Sequence, residues 1–511
     1  MECKMFATIS LKNKIALIAV CLSAVMLGLE ITSVPSILPT LKELLPADFQ
    51  QLQWIMNAYT IAMCSVLVAM GALADRFGRK KIFLIGIAVF AVSSLVCGLA
   101  TSAPMLIGAR FLQGVSAAAM LSCQVAILSQ QFQNGPERGV AFATWGMIFG
   151  LGLGFGPIVG GVIIEFASWE WVFLIHVVIA AVTIILAKKG VTESSDPNAL
   201  SMDFGGMITL SLSVFGLVYL ITQGHESGIT SQHVLSILAA SIVSFLLFIV
   251  IERKVRRPMF DFSAFKVRNF SGALFGASGM NFSFWPFVIY FPIYLQSVLG
   301  YSGIVSGLTV LALTVPTIIV PPYAERMLLS KGPGKVISLG LFTIATGFAA
   351  IWFAVGFANA SWLTLLPGCL LAGVGLGLTN TPVTNTATGA LPPERAGMAS
   401  GMEFSARMIS LAVNIAIMGF VLVQGIKVGL ENTLLFDSNE ITQLADALAA
   451  GNFSMAESTG LTLDKAREIL ASGFNWVLLY GASAAAVLGI ATAITCERHQ
   501  SEDKAIDAVP E

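Results

Sequence analysis

Apolar runs of about twenty residues follow one another along nearly the whole chain, broken by short polar or basic punctuation rather than by long loops. Each run is long enough to cross a hydrocarbon core of roughly 30 Å as a helix. Hydropathy predicts fourteen helices, at 15–39, 52–74, 82–99, 104–128, 141–164, 172–187, 204–223, 233–251, 271–295, 304–323, 336–356, 362–385, 400–428 and 474–495. The one long polar interruption is 429–473. Within it "NEITQLADALAAG" sets Ile441, Leu444 and Leu448 on one helical face, and "TLDKAREILASG" is a second candidate short helix. An amphipathic hairpin resting on the outer surface is expected there, with a disordered loop as the alternative.

Composition turns a helix-rich reading into a membrane one. Of 511 residues, 56% are hydrophobic and 11% charged, against about 25% charged in ordinary soluble proteins. The expected fold class is therefore an all-α integral membrane protein, and a soluble multidomain enzyme is excluded. Lys4, Lys12 and Lys14 precede a first run too long for a secretory signal and without a clear cleavage site, so it is expected to stay as the first span. With the N-terminus inside, inward loops and tails hold about 22 of the 28 Lys and Arg. Twelve or thirteen spans would move "DRFGRKK" or "ERKVRRP" to the wrong side. Both termini are thus expected in the cytoplasm of a bacterial inner (plasma) membrane. A net charge of −1 and scattered basic clusters speak against nucleic acid. The seven cysteines show neither ligand nor framework spacing; they are read as small buried hydrophobes, with no metal site.

The chain also repeats itself. "GPERGVAFATWG" at 135–146 is echoed by "PPERAGMASGME" at 392–403, and "LADRFGRKK" more faintly by "YAERMLLSKGPGK" near 323–335. Parallel repeats of this kind build rocking-bundle transporters with a site between the halves; chance similarity is the alternative. The expected organisation is an N-terminal six-helix bundle (1–190), two inserted helices (191–257), and a C-terminal six-helix bundle (258–511) that carries the external segment.

Few ionisable residues lie inside the spans: Glu30, Arg110, Glu403 and Arg407, with His176 a weaker member. Each costs at least about 2.5 kcal/mol at a lipid-facing midplane, so each should face a cavity or a partner. Glu30 lies about 13 Å from the outer end of the first predicted span and Arg110 about 9 Å into the fourth, depths close enough to pair. Glu403 and Arg407 are one helical turn apart and can pair on one face. Permanent pairs would be structural. A pair that changes as a cavity opens would instead be a proton-linked switch, because burial and pairing pull a carboxyl in opposite directions, and Glu30, Arg110, Glu403 and Arg407 are the candidate proton-coupling residues. For His176 a satisfied packing role is the simpler reading.

Two glycine-bearing motifs accompany these charges. In "GALADRFGRKK", Gly71 permits close helix approach and Gly78 a tight turn, while Asp75 can accept bonds from arginines or from a helix N-terminus. Arg76, Arg79 and Lys80 complete a candidate gating loop, for which a merely topogenic basic loop is the bland alternative. In "GLGFGPIVGG", Gly152, Gly156 and Gly160 form a small-residue ridge beside Gly161, and Pro157 favours a kink. The ninth span is crowded with aromatic rings, which suit a lipophilic cation, and Pro286 and Pro292 favour a broken helix there. Asn281, Trp285 and Tyr290, with Trp54, Tyr59 and Gln113, are the candidate substrate-cavity residues.

Taken together, "GALADRFGRKK", "RFLQG" (110–114), "GLGFGPIVGG", "SWEWVFLI" (168–175), "YFPIYLQSVLGYS" (290–302) and "LEITSVPSILP" around Glu30 resemble the motifs of the major facilitator superfamily, in its fourteen-helix drug:proton antiporter branch. The resemblance implies that Glu30 sits at a coupling position, usually Asp. It also implies that the Asp75 loop stabilises the outward-facing state, and that the glycine ridge controls proton leak and direction. Departures include Glu at 30, and His176 and Val178 where Asn and Pro are usual.

The expected function is a proton-coupled antiporter exporting small amphiphilic or cationic compounds, as in multidrug efflux. Its partners would be a small-molecule substrate, protons and the lipid bilayer, with no cofactor beyond the proton gradient. An outer partner of a tripartite pump is left open. The alternatives are a dedicated exporter of one metabolite, lipid or siderophore, and a non-transporting receptor or scaffold. No nucleotide-binding loop or nucleophile constellation is visible, which disfavours ATP-driven transport and enzymology.

Overall fold

The computed structural model describes residues 9–45, 49–133, 135–196, 203–223, 232–255, 262–356, 360–431, 438–449, 451, 453 and 461–497. Among these residues the secondary structure is entirely helical. The first half comprises α1 (Leu11–Leu44), α2 (Phe49–Phe77), α3 (Arg79–Gly98), α4 (Ala103–Gln131), α5 (Gly135–Phe166) and α6 (Trp171–Gly190). Next come α7 (Phe204–Gln223) and α8 (Gln232–Lys254). The second half holds α9 (Arg268–Asn281), α10 (Phe284–Ile293), α11 (Gly303–Ile319), α12 (Pro321–Lys331), α13 (Pro333–Val355), α14 (Trp362–Gly389) and α15 (Ala396–Glu431), followed by α16 (Ser438–Ala449) and α17 (Leu463–Thr495).

Eleven described helices are long and apolar enough to cross a membrane, and α11 with α12, bent by 45°, makes up to twelve. Of the other expected spans, 204–223 is the single helix α7, whose apolar part Phe204–Leu220 is shorter. The segment 271–295 is split into α9 and α10. The split falls at Phe282–Ser283, upstream of both prolines. Pro286 explains the position: its ring clashes with the carbonyl four residues earlier, that of Phe282. After Pro292 the chain relaxes into a π turn over Tyr294–Val298.

One expectation needs correction. "TLDKAREILASG" is not a separate short helix but the opening turns of α17, which Thr462 caps through its hydroxyl to the Lys465 N–H. Gly473 does not end the helix, because its bare backbone packs on α15, where an added Cβ would lie 3.0 Å from the Leu422 carbonyl oxygen. Tertiary contact here overrides propensity. The α16 face reads as expected: Ile441, Leu444 and Leu448 are buried in the same core as Leu430 and Phe474.

Buried apolar side chains gather into distinct cores. One is drawn from residues 264–485; another comes from residues 9–191 plus Phe404 of α15. The pair α7/α8 stands beside α2, where Leu210, Val214, Val218 and Phe248 cover Ile61, Cys64 and Val68. Exposed Leu235, Ile242, Phe245 and Leu246 on α8 give that side a face suited to acyl chains.

The two halves meet where small residues allow it. Gly71 on α2 abuts the Gly397 carbonyl on α15, and a Cβ on Gly401 would lie 3.0 Å from the Val68 Cα. Along α5, a Cβ on Gly150 or Gly154 would lie 3.4–3.5 Å from the hydroxyls of Thr317 and Thr314 on α11.

Candidate functional site

Glu30 sits mid-way along α1, fully buried, where an unpaired carboxylate could not remain ionised at acceptable cost. Arg110 of α4, only 2% exposed, meets it through Nη1 and Glu30 Oε1. The guanidinium is fixed from several helices. Its Nη1 also donates to Gln113 Oε1 at 2.7 Å and its Nε to the Ile55 carbonyl at 3.0 Å. The Tyr59 ring lies 4.5 Å beneath it. Gln113 is itself held by Ser94 Oγ at 2.8 Å. His176 of α6 closes the other side: Nε2 lies 3.2 Å from the Met26 carbonyl oxygen, and Nδ1 lies 3.5 Å from Glu30 Oε2. Two of the residues expected along a substrate cavity, Tyr59 and Gln113, are thus immediate neighbours of Arg110. Trp54 packs elsewhere, 5.6 Å from the Tyr219 ring on α7.

The second cluster is organised by α15. Arg407 Nε meets Glu403 Oε1 one turn back, and Nη1 meets Asn380 Oδ1 of α14. Nη2 donates to the Asn380 carbonyl at 3.0 Å and to Thr384 Oγ1 at 2.8 Å. Thr384 Oγ1 also reaches Glu403 Oε2 at 3.5 Å. Behind Arg407, its carbonyl accepts from Asn281 Nδ2 at 2.9 Å, and Asn414 Nδ2 donates to the Asn281 carbonyl at 2.9 Å. Tyr290 donates its hydroxyl to the Ile415 carbonyl at 2.9 Å. Asn281 and Tyr290 therefore commit polar groups to the α15 backbone, next to the break in their own span. Trp285 is half-buried and sets its ring at 82° to Phe284.

The Asp75 loop grips the start of α15. Asp75 accepts from the backbone N–H of Gly397 at 3.0 Å and of Met398 at 2.8 Å, serving the otherwise unpaired donors of a helix N-terminus. Arg79, also bound to Asp75 Oδ1 at 2.7 Å, extends Nη2 to the carbonyls of Pro393 and Glu394, both at 2.9 Å. Gly78 has φ +103°, a conformation only glycine adopts easily. Lys80 donates to the Lys188 carbonyl at 2.8 Å, and Arg76 lies over the Phe77 ring.

A counterpart forms at the start of α5. There Arg138 donates to Asn385 Oδ1 at 2.6 Å, and Asn385 Nδ2 donates to Glu325 Oε2 at 2.6 Å. Glu325 belongs to the faint second copy of the loop motif.

Gly152 and Gly156 seat α5 directly on α1. A Cβ on Gly152 would lie 2.9 Å from the Val25 carbonyl oxygen, and one on Gly156 would strike the Thr32 hydroxyl. Thr32 in turn donates to the Gly28 carbonyl at 3.0 Å. Gly160 is buried, whereas Gly161 is exposed with nothing within 4 Å of its Cβ position. Pro157 lies in this helix, its side chain outside the described residues.

The profile of the Major Facilitator Superfamily matches residues 20–414. The chain belongs to the Major Facilitator Superfamily. It is a multi-pass membrane transporter rather than an enzyme. Among superfamily relatives it is 30% identical over 417 residues to the multidrug resistance protein Stp of Mycobacterium tuberculosis, covering 82% of this chain and 77% of Stp. It is 28% identical over 487 residues to the multidrug efflux pump LfrA of Mycolicibacterium smegmatis, covering 93% and 96%. A third relative, the tetracenomycin C resistance and export protein of Streptomyces glaucescens, is 30% identical over 410 residues, covering 80% and 75%. Among solved structures, the human organic anion transporter MFSD10 superposes with a TM-score of 0.61 at 14% identity, covering 91% of this chain and 99% of that one. The proton:xylose symporter XylE superposes with 0.60 at 12%, covering 94% of each. These two likenesses show the superfamily fold.

Sequence reasoning missed several members of these clusters. Asn380 and Thr384 carry no pattern that points to Arg407, and Asn385 none that points to Arg138. Glu193, whose carboxylate accepts from the N–H groups of Lys80 and Lys81 at 3.0 and 3.1 Å, caps α3 from over a hundred residues away. An available signal was the motif echo itself, which places Glu325 where the first copy has Asp75.

Proposed function

We propose that this superfamily member is a proton-coupled antiporter with fourteen spans, exporting small amphiphilic or cationic compounds across a bacterial inner membrane. Both termini face the cytoplasm, and the chain belongs to the drug:proton antiporter branch. Residues 1–190 and 258–511 are the two rocking bundles, with 191–257 inserted beside them. The observation that carries the reading is the wholly buried Glu30, held by an arginine from another helix. Such a carboxylate exchanges one positive partner for another only when the helices around it move. Protonation from the outer side releases a bound cation, and inward opening returns the proton. The similarity to a multidrug resistance protein, Stp, and a multidrug efflux pump, LfrA, agrees with a broad substrate range.

In this cycle Arg110 orients Glu30 and offsets its charge, with Tyr59 and Gln113 fixing the guanidinium. Glu403 and Arg407 steady α15, while Asn281, Trp285 and Tyr290 shape the substrate side of the break between α9 and α10. Gly71, Asp75, Arg76, Gly78, Arg79 and Lys80 form the cytoplasmic latch. The seam of Gly152, Gly156, Pro157, Gly160 and Gly161 keeps α5 tight on α1 against proton leak. A dedicated exporter of one compound is the second reading, favoured by the scarcity of buried acids to meet cations. Inverted vesicles with an imposed pH gradient test the proposal. Wild type should accumulate cationic dyes and Glu30→Gln should not; equal accumulation would sink the coupling role of Glu30.

A further inference from the structure

We propose that Glu30 and His176 together hold a single exchangeable proton, shared between Glu30 Oε2 and His176 Nδ1. The inference deepens the proton-coupling reading and rests on it for its transport consequence.

The tautomer of His176 follows from its surroundings. A backbone carbonyl only accepts, so the Met26 oxygen 3.2 Å from Nε2 requires that nitrogen to carry the hydrogen. In the neutral ring Nδ1 then presents a lone pair, and that lone pair faces Glu30 Oε2 at 3.5 Å. Among the described residues neither atom has a hydrogen-bond partner, although both residues are at most 1% exposed. Buried orphan acceptors facing each other are costly, and one proton placed between them satisfies both at once. The separation is about 0.5 Å longer than a good N–H···O bond, as expected while the proton is absent.

The other carboxylate oxygen, Oε1, is already engaged by Arg110. Among the described residues the remaining titratable groups nearby are Tyr59 and Cys64 from α2 and Cys97 from α3, all buried. From α5 the facing residues are Gly152 and Gly156, which bring no charge. The imidazole is held in place by the Phe90 ring, edge-on at 5.8 Å. The chemistry is a bare proton transfer: one proton arrives and Nδ1 and Oε2 share it, while Nε2–H stays on Met26. Without the proton Glu30 keeps its negative charge beside a neutral ring. With it, the site carries one more positive charge and repels a cationic substrate.

The chain has four histidines, so replacing His225, His233 and His499 by Gln leaves His176 as the sole imidazole. In that full-length protein in lipid nanodiscs, 15N spectra of the ring should be followed between about pH 5 and 9, the range over which an imidazole titrates. The expected result is an Nε2 that stays protonated throughout and an Nδ1 that gains one proton as the pH falls. In Glu30→Gln, proton occupancy of Nδ1 at a given pH should fall about tenfold. An Nδ1 that never changes, or a titration indifferent to Glu30→Gln, overturns the shared site. Dye accumulation by His176→Asn in inverted vesicles reads the consequence: its pH profile should shift, and an unmoved profile also overturns the proposal. Failure of the wider reading looks different, because Glu30→Gln would then accumulate dye like wild type while the ring still titrates with Glu30.

Discussion

The two buried carboxylate–guanidinium pairs use the same chemistry on opposite mechanical terms. Glu30 and Arg110 come from different helices, α1 and α4, with a third helix, α6, closing on the free oxygen. Glu403 and Arg407 lie one turn apart on α15, and the α14 residues Asn380 and Thr384 supply the remaining contacts. A pair within one helix travels with it as a rigid unit. A pair across helices is remade whenever those helices shift. The carboxylates differ as well: Glu403 Oε2 has a hydroxyl in reach, whereas among the described residues Glu30 Oε2 meets only the His176 ring nitrogen. In the proposed cycle, the first-half pair responds to motion and protonation, and the second-half pair holds a helix.

Substitutions should separate the pairs in a definite order. Glu30→Gln should lower gradient-driven dye accumulation by about tenfold or more, the loss expected for about 1.4 kcal/mol or more of coupling, while Glu403→Gln keeps a clear gradient-dependent fraction. Equal losses in vesicle assays would erase the distinction. For stability, Arg110→Ala leaves a buried uncompensated carboxylate and should cost about 3–5 kcal/mol, read as a lowered unfolding temperature in detergent. Arg407→Ala should cost about 2 kcal/mol, because Thr384 stays beside Glu403.

The α1–α5 seam sharpens the same contrast, since it positions Glu30 but not Glu403. Gly156→Ala forces the new methyl onto Thr32 and should cost about 1–3 kcal/mol, and the displaced α1 should shift the pH dependence of efflux. Gly161→Ala, with open space around it, should stay within about 0.5 kcal/mol and serves as the control. Apart from that control, the smallest effect is expected from Thr384→Val, about 1 kcal/mol of stability with an unchanged pH profile. A shifted profile there would mean that the second pair titrates in the cycle too.

Much of this contrast was legible in the chain. Depth along α1 and α4 brought Glu30 to Arg110, four-residue spacing joined Glu403 to Arg407, and the turn chemistry of "GALADRFGRKK" anticipated Asp75 at a helix N-terminus. The crowding of prolines after Phe282 announced a broken span, though not its position. What stayed hidden shares a cause. Periodicity gives the faces of a helix relative to its own axis, not its rotation against a neighbour. Hence His176 could be placed at a depth but not opposite Glu30, and Trp54 could not be assigned to the α7 side rather than a cavity. Side chains that bond another helix's backbone, as Asn281 and Tyr290 do, leave no pattern in either segment. The eleven-residue extension of α17 was hidden because the partner that carries the helix through Gly473 lies on α15.

The grip of Asp75 on the start of α15 has a consequence for solvent. Releasing it bares the N–H groups of Gly397 and Met398, and each costs about 1–3 kcal/mol if left dry. Water entering the gap replaces the carboxylate at little cost. In the proposed transport cycle, separation at this point and flooding of the crevice would therefore be one event, and the contact would work as a hydration valve.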